Sequence, residues 1–369
     1  MPTEPLYKIA FSMLTGVNIT SGRRILDIVG SEEQFFSLPS DYLGAMLRLT
    51  SKIISREYRD GLLRKAEAEL RFVEAHDIRL FYFQDSHYPQ RLMECEDAPL
   101  MLYGLGQCDL DNKFALSIVG TRHATPYGID FTQKLVSTLA ESLPAKPMIT
   151  SGLAFGIDIA AHRAALKSSS PTVAILAHGL KTIYPAAHRR DAAAIIDHGG
   201  MLLTEYTSDA TVHRGNFLAR NRIVAGLSDG TVVAESAVKG GAMVTASIAS
   251  AYCREVMALP GRTSDNYSAG CNRLIRNNSA SLVTSAEDVA YTLGWPMEQT
   301  SEAHQNPLPL ILDEDEQAVV DLLTECSEAT TNQIAITCGF SISKTMSLLI
   351  DMEFKGILIC YPGSRYRLA

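Results

Sequence analysis

The chain has 369 residues, of which 46% are hydrophobic and 20% are charged, and its formal net charge is −8. This length exceeds one typical hydrophobic core, so we expect two or three domains. No apolar run reaches the length of a membrane span, and residues 1–8 lack the features of a secretory signal. The seven cysteines and nine histidines are scattered, so we expect reduced thiols, no metal site and a cytoplasmic protein.

Charge is distributed unevenly along the sequence. Residues 1–112 hold 12 Lys and Arg against 17 Asp and Glu, residues 113–300 hold 17 against 14, and residues 313–369 hold 4 against 9. The net charges of these segments are therefore −5, +3 and −5. Because local potential steers a polyanion, this pattern permits a basic site in the middle of an acidic protein.

Residues 1–75 predict a small helical domain. Apolar residues at helical spacing indicate short helices at 6–14, 21–29 and 43–54. The turn Gly16-Val17-Asn18 suggests a helix-hairpin-helix or SAM-like unit that could meet DNA phosphates through backbone N–H groups. The expected second glycine is missing from this turn, so we favour a plain accessory bundle.

A central domain is predicted over residues 76–298. After a strand at 78–83, apolar runs and helical patterns alternate, which indicates a doubly wound parallel sheet with ligands beyond the carboxyl ends of its strands. The predicted strands are 114–119, 147–150, 172–177, 201–206, 231–236 and 255–260, and the predicted helices are 126–140, 156–167, 186–197, 216–228, 242–253 and 285–293.

Two consecutive strand–loop–helix units end in loops suited to an anion. The first loop, Gly120-Thr121-Arg122, precedes Thr125-Pro126, a suitable N-cap and first helical residue. The second, Ser151-Gly-Leu-Ala-Phe-Gly-Ile-Asp158, has the small residues that let backbone N–H groups and a helix N-terminus approach a phosphate. Taken alone, this second motif is equally well explained as an ordinary tight turn.

Further loops with glycine, arginine or tyrosine follow later strands and should meet the same edge of the sheet. Arg220 and Arg222 are two residues apart and cannot share a helical face, so one could reach an anion while the other braces the fold. The candidate phosphate-binding residues are Gly120, Thr121, Arg122, Ser151, Gly152, Leu153, Ala154, Phe155, Gly156, Lys181, Tyr184, Arg189, Arg214, Arg220, Asn221, Arg222, Gly240 and Gly241.

Residues 299–312 are predicted to be a linker, and residues 313–369 a small terminal domain. Three helical segments followed by a hairpin around Pro362-Gly363 form a winged-helix pattern. Its presumed recognition helix carries Lys344 against Asp351 and Glu353. Because major-groove binding needs basic residues near phosphates, we interpret this acidic domain as a protein-interaction module or an inert scaffold.

In order and spacing, the motifs over about residues 80–290 resemble the DNA-processing protein A family (DprA/Smf). They comprise Ile118-Val-Gly-Thr-Arg122, Ser151–Asp158, Gly179 with Tyr184-Pro185, Phe217 to Ser228, Gly240-Gly241 with Thr245-Ala246, and Gly270 to Ile275. The resemblance implies a Rossmann-like, non-enzymatic protein that binds single-stranded DNA, protects incoming strands in natural transformation and loads the recombinase RecA. It also implies a homodimer formed through the Rossmann-like domain, and no cofactor.

Carried over by position, the family's DNA-contacting arginine is Arg122, and its phosphate-cradling loop begins at Ser151. Asp158 is acidic, so its expected role is to cap and orient the N–H groups of this loop. Tyr184 or Phe217 could stack on a base, although we favour core packing for Phe217 because it begins an apolar helix.

The alternative function is a Rossmann-like enzyme related to nucleoside monophosphate phosphoribohydrolases. Such enzymes carry Pro-Gly-Gly-x-Gly-Thr, whereas this chain has Ser228-Asp-Gly-Thr231, with Glu235 as the only plausible general acid or base. The mismatch argues against catalysis. A dinucleotide-dependent oxidoreductase is disfavoured because no G-x-G-x-x-G follows the first strand.

Overall fold

A computed structural model of the chain describes residues 4–48, 51–298, 312–361 and 364–368. Internal contacts divide it into two compact units, Met1–Gln299 and Thr300–Ala369. Within the described residues, no single helix is both long and apolar enough to cross a membrane, although the bent pair Thr331–Cys338 and Ile342–Phe354 passes that test jointly on length and composition.

The first unit begins with a helical segment. Its helices are α1 (Glu4–Ser12), α2 (Ile19–Val29), α3 (Glu32–Ser37), α4 (Ser40–Leu47), a 3-10 turn (Lys52–Ile54) and α5 (Arg56–Ala75). Asn18 caps α2 through a reciprocal pair of hydrogen bonds with Ser21, which satisfies N–H groups that the helix leaves free. The prediction of one helix over 43–54 is wrong, because α4 ends at Leu47 and the φ of 51° at its C-cap, Arg48, is left-handed.

A nine-stranded sheet follows, in the order β1-β2-β6-β5-β4-β3-β7-β8-β9. Strands β3 to β9 are parallel, whereas β1 and β2 extend one edge in antiparallel fashion. The strands are β1 (Arg79–Tyr82), β2 (Met101–Gly106), β3 (Ala115–Val119), β4 (Met148–Ser151), β5 (Thr172–Ile175), β6 (Met201–Thr204), β7 (Gly230–Val233), β8 (Glu255–Ala258) and β9 (Ser281–Leu282).

Helices connect the parallel strands and cover both faces of the sheet, and this confirms the predicted doubly wound α/β fold. The connecting helices are α7 (Pro126–Ser142), α8 (Ile157–Lys167), a 3-10 turn (Ala186–His188), α9 (Arg189–Asp197), α10 (Arg214–Gly226), α11 (Gly241–Ala251) and α12 (Ala269–Arg276). In addition, the short α6 (Gln90–Met93) lies between β1 and β2, and α13 (Ala286–Leu293) follows β9. Thr125 caps α7 and Pro126 is its first residue, as predicted. Nearly every residue of β3 to β8 is buried, which explains their continuous apolar runs.

The second unit has its own core. Helices α14 (Glu314–Cys326), α15 (Thr331–Cys338) and α16 (Ile342–Phe354) pack with an antiparallel sheet of β10 (Ala329–Thr330), β12 (Arg365–Leu368) and β11 (Leu358–Tyr361). Gly339, with a φ of 69°, ends α15 and makes the turn to α16. The described residues therefore contain a helix, a helix-turn-helix and a hairpin, while the predicted linker at 299–312 lies almost wholly outside them.

Candidate nucleic-acid interface

A groove opens at the carboxyl ends of β3, β4 and β7, where the sequence placed the site. It consists of an inner cavity of about 270 Å³ and an outer cavity of about 680 Å³. The two cavities share five lining residues, so they form one continuous depression, which we call the groove. The shared residues are Arg122, Phe217, Leu218, Gly240 and Gly241.

The loop after β4 is held from inside by Asp158. Its buried carboxylate accepts a hydrogen bond from the N–H of Gly152 at 3.2 Å and interacts with the N–H of Ala154. Burial raises the pKa of Asp158, whereas the charge of Arg220 and these N–H groups lower it. The carboxylate thus occupies two of the N–H groups that a phosphate cradle would need, and it fixes the shape of the loop.

Two residues of this loop face the interior, which corrects their assignment as phosphate contacts. The Ser151 hydroxyl donates to the carbonyl of Ile118 at 2.6 Å, and Leu153 is fully buried. Gly156 is required at its position, because its φ is 78° and a Cβ would lie 2.1 Å from the Thr121 carbonyl oxygen. Only Ala154, Phe155 and Gly156 remain accessible at the surface of the loop.

Arg220 braces the base of the groove. Its side chain is 4% exposed, and Nη1 donates to the carbonyls of Gly152, at 2.8 Å, and of Ile175. Burial lowers the pKa of Arg220 to about 10, so the guanidinium stays charged at neutral pH beside Asp158. Nε is directed at the Asn221 side chain, so Arg220 braces the fold with Nη1 while it lines the inner cavity, and its contact with DNA stays a prediction.

Arg222 and Lys181 line neither cavity of the groove. Arg222 donates to the Glu205 carboxylate at 2.5 Å, and Lys181 lies over the ring of Phe72 at 5.2 Å. Both were predicted to bind phosphate. The ion pair with Glu205 corrects the assignment of Arg222, whereas Lys181 is exposed, so its phosphate contact stays a prediction. Arg189 is exposed at the beginning of α9 but lines neither cavity.

Three exposed cations do line the groove. Arg122 lies over the Phe217 ring at 5.7 Å, Arg214 begins α10, and Lys239 precedes the glycines that open α11. Arg122 forms no ion pair with any residue that the structure describes. Among the described residues, the only acid that lines the groove is the buried Asp158, so these cations leave the opening locally positive. Sequence reasoning missed Lys239, although it directly precedes Gly240-Gly241.

Aromatic side chains border the same opening. Tyr184 is half-exposed and meets the Phe217 ring edge-on at 5.7 Å, while the exposed Phe155 contacts His188 at 4.7 Å. Phe217 lines both cavities, which corrects the expectation of core packing. Tyr267 also lines the inner cavity, and no sequence signal indicated it.

The carboxylate of Glu235 is engaged elsewhere. It accepts hydrogen bonds from the N–H of Thr125 at 2.8 Å and from its hydroxyl at 2.6 Å. Burial raises the pKa of Glu235, and the two bonds to Thr125 oppose that rise. These bonds hold the start of α7. Glu235 lines neither cavity, so its carboxylate does not contact a ligand in the groove.

Helix α5 contacts two loops beside the groove. The buried Glu69 carboxylate accepts from the Ser208 N–H at 2.9 Å and from its hydroxyl at 2.7 Å. The neighbouring Phe72 packs under Lys181 on the loop that leads to Tyr184. The helical segment and the sheet thus meet where the loops after β5 and β6 leave the sheet.

The fold and the groove define a Rossmann-like α/β protein with an open, cationic and aromatic-lined surface at the carboxyl edge of its sheet. Residues 79–294 match the family of DNA recombination-mediator protein A, and the chain belongs to this family. The resemblance seen in the motifs over residues 80–290 is confirmed.

Similar proteins come from several bacteria. The chain is 32% identical to Protein Smf of Escherichia coli, over 94% of this chain and 91% of that protein. The solved structure of DNA processing protein A from Streptococcus pneumoniae has a TM-score of 0.64 at 31% identity, over 79% of this chain and 98% of that one. DNA processing protein A from Helicobacter pylori, whose structure concerns its single-stranded DNA binding mode, has a TM-score of 0.53 at 30% identity, over 59% of this chain and 97% of that one.

Proposed function

We propose that the groove binds single-stranded DNA without catalysing a reaction. The observation that carries the proposal is Arg122, an exposed guanidinium that forms no ion pair in the described part of the chain and lies over Phe217 inside the groove. A cation stacked on an aromatic ring offers phosphate contacts and a planar surface in one place. The relative from Helicobacter pylori supports this ligand, because its structure concerns the binding of single-stranded DNA.

The geometry supports different roles for the cations and the aromatic side chains of the groove. Arg122, Arg214 and Lys239 would neutralise successive phosphates, and the N-termini of α10 and α11 would add their partial positive charge. Tyr184 and Phe217 would stack on bases, which a duplex keeps inside its own stack. Preference for single strands would follow from this stacking.

The wider role rests on membership of the family. We propose that the protein acts in the cytoplasm, protects incoming strands in natural transformation, loads RecA onto them and works as a homodimer through its Rossmann-like domain. The second unit, which we propose is a winged helix, serves as a protein-interaction module, because residues 313–369 carry a net charge of −5 that disfavours DNA.

An enzymatic role for the groove is the weaker candidate. A phosphoribohydrolase would need a general acid or base beside the bound nucleotide, and Glu235 is directed at Thr125 instead. Asp158, the one acid that the described part of the chain contributes to the lining of the groove, is buried beneath the loop after β4. Both carboxylates therefore favour a binding site over a catalytic one.

The test is a titration of the full chain with fluorescent oligo-dT and with a duplex of matched length, over a series of salt concentrations. We expect the single strand to bind more tightly than the duplex, with an affinity that falls steeply as salt rises. A nucleoside monophosphate hydrolysis assay runs in parallel. Release of free base, together with weak binding of oligo-dT at low salt, would overturn the proposal in favour of the enzyme.

A further inference from the structure

Helix α16 exposes a continuous apolar stripe. Large apolar side chains recur every four residues, which places them along one side of the helix. We call these four residues the α16 stripe; they are Ile342 (54% exposed), Met346 (54%), Ile350 (47%) and Phe354 (90%). Contiguous exposed apolar side chains of this size are uncommon on a surface that binds nothing.

The stripe is not needed for the core of its own unit. Thr345, Leu349 and Met352 lie on another side of α16 and are buried against the other elements. These three residues hold the helix in place, and the described residues of the second unit leave the stripe exposed. Ser343 and Ser347 border it, and their small side chains let a second helix approach closely.

The charges around the stripe indicate what it binds. Lys344, Lys355 and Arg365 form ion pairs with Asp315, Glu316 and Glu328, respectively. Asp351 and Glu353, both exposed on α16, form no ion pair within the residues that the structure describes. An acidic rim repels DNA and anionic lipid, and equally a second copy of itself, whereas it attracts a basic protein segment.

We propose that the α16 stripe binds an amphipathic helix of another protein, with an apolar face seated on the stripe and Lys or Arg beside that face. This inference rests on the proposed role of the second unit as a protein-interaction module, and it adds the surface and the chemistry of the partner. Apolar residues at a spacing of three and four anchor such a helix, and the basic flanks set its orientation.

Two synthetic amphipathic peptides test the proposal. They share one apolar face and differ only in having Lys or Glu on its flanks, and each is titrated into the full-length chain by fluorescence anisotropy. We expect the Lys peptide to bind at least tenfold more tightly than the Glu peptide. Met346→Ser and Ile350→Ser should each weaken its binding at least fivefold, and D351K/E353K should reverse the preference.

Tyr291→Ser, which removes an exposed apolar side chain from the first unit, is the matched control and should leave peptide binding unchanged. Oligo-dT binding is measured on every variant, so a failure of the DNA-binding proposal is seen separately. Equal binding of the two peptides, or no binding of the Lys peptide, would refute the proposed partner. If the wild-type chain instead binds vesicles or self-associates, and Met346→Ser loses that property, then the partner of the stripe is a membrane or a second copy of the chain.

Discussion

Replacement of Arg122 by alanine should weaken the binding of single-stranded DNA while leaving the fold intact. Arg122 is exposed and packs on the Phe217 ring, and its charge acts with opposite sign on the buried Asp158 and Arg220, so its removal should cost the fold no more than about 0.5–1 kcal/mol. A hydrogen bond to a charged group contributes about 1.5–3 kcal/mol. We therefore expect affinity to fall by roughly 10- to 100-fold.

The salt dependence separates a phosphate contact from a general disturbance. For single strands, the slope of log affinity against log salt is about 0.7 per neutralised phosphate, so Arg122→Ala should reduce it by about that amount. Lys134→Ala is the matched control, because Lys134 is an exposed cation on α7 that lines neither cavity. Equal slopes for Arg122→Ala and the wild type would refute the reasoning.

Three other predictions concern the groove and the core. Tyr184→Ala and Phe217→Ala should each cost about 1–3 kcal/mol of oligo-dT binding with an unchanged salt slope, since they remove stacking; a changed slope would contradict this. Arg220→Met should lower the free energy of unfolding by about 1–3 kcal/mol in urea, because the buried carbonyls of Gly152 and Ile175 lose their donor. Full stability with weak DNA binding would instead make Arg220 a DNA contact. Burial lowers the pKa of His162 to about 3, so as pH drops from about 6 towards 4 only the unfolded state takes up a proton at this residue. The free energy of unfolding should therefore fall by about 1.4 kcal/mol per pH unit, and His162→Gln should flatten that slope. Parallel pH profiles for the wild type and His162→Gln would exclude this effect.

The parallel core of the fold could be predicted from the sequence because its strands are buried on both sides. Runs such as residues 114–119 and 231–236 are continuously apolar, and the intervening helices begin with caps such as Thr125. Strand β2 was missed because Gly104 and Gly106 interrupt its apolar run. Helix α5 was missed because charged residues dominate it and hide the few apolar positions on its buried side.

The location of the site could be predicted from the sequence of the loops, but the direction in which each side chain points could not. The spacing of Arg220 and Arg222 shows that they lie on different faces of α10, yet it carries no information about which face meets the groove. Contacts with distant residues decide this, since Arg222 pairs with Glu205 and Lys181 rests on Phe72. Such pairings join segments far apart in the chain, which periodicity and local motifs do not describe.

The contact between Glu69 and Ser208 joins helix α5 to the loop after β6, beside the groove. Helix α5 contacts the loop after β5 through Phe72 and the loop after β6 through Glu69, so we expect the part of the rim that carries Tyr184 to be held in place before a strand binds. A binding surface that is already ordered loses little conformational entropy when single-stranded DNA binds, and this favours rapid binding of strands of many sequences. The stretch matched by the family begins at residue 79, beyond α5, so a fragment cut at that boundary would keep the groove but lose its stiffness.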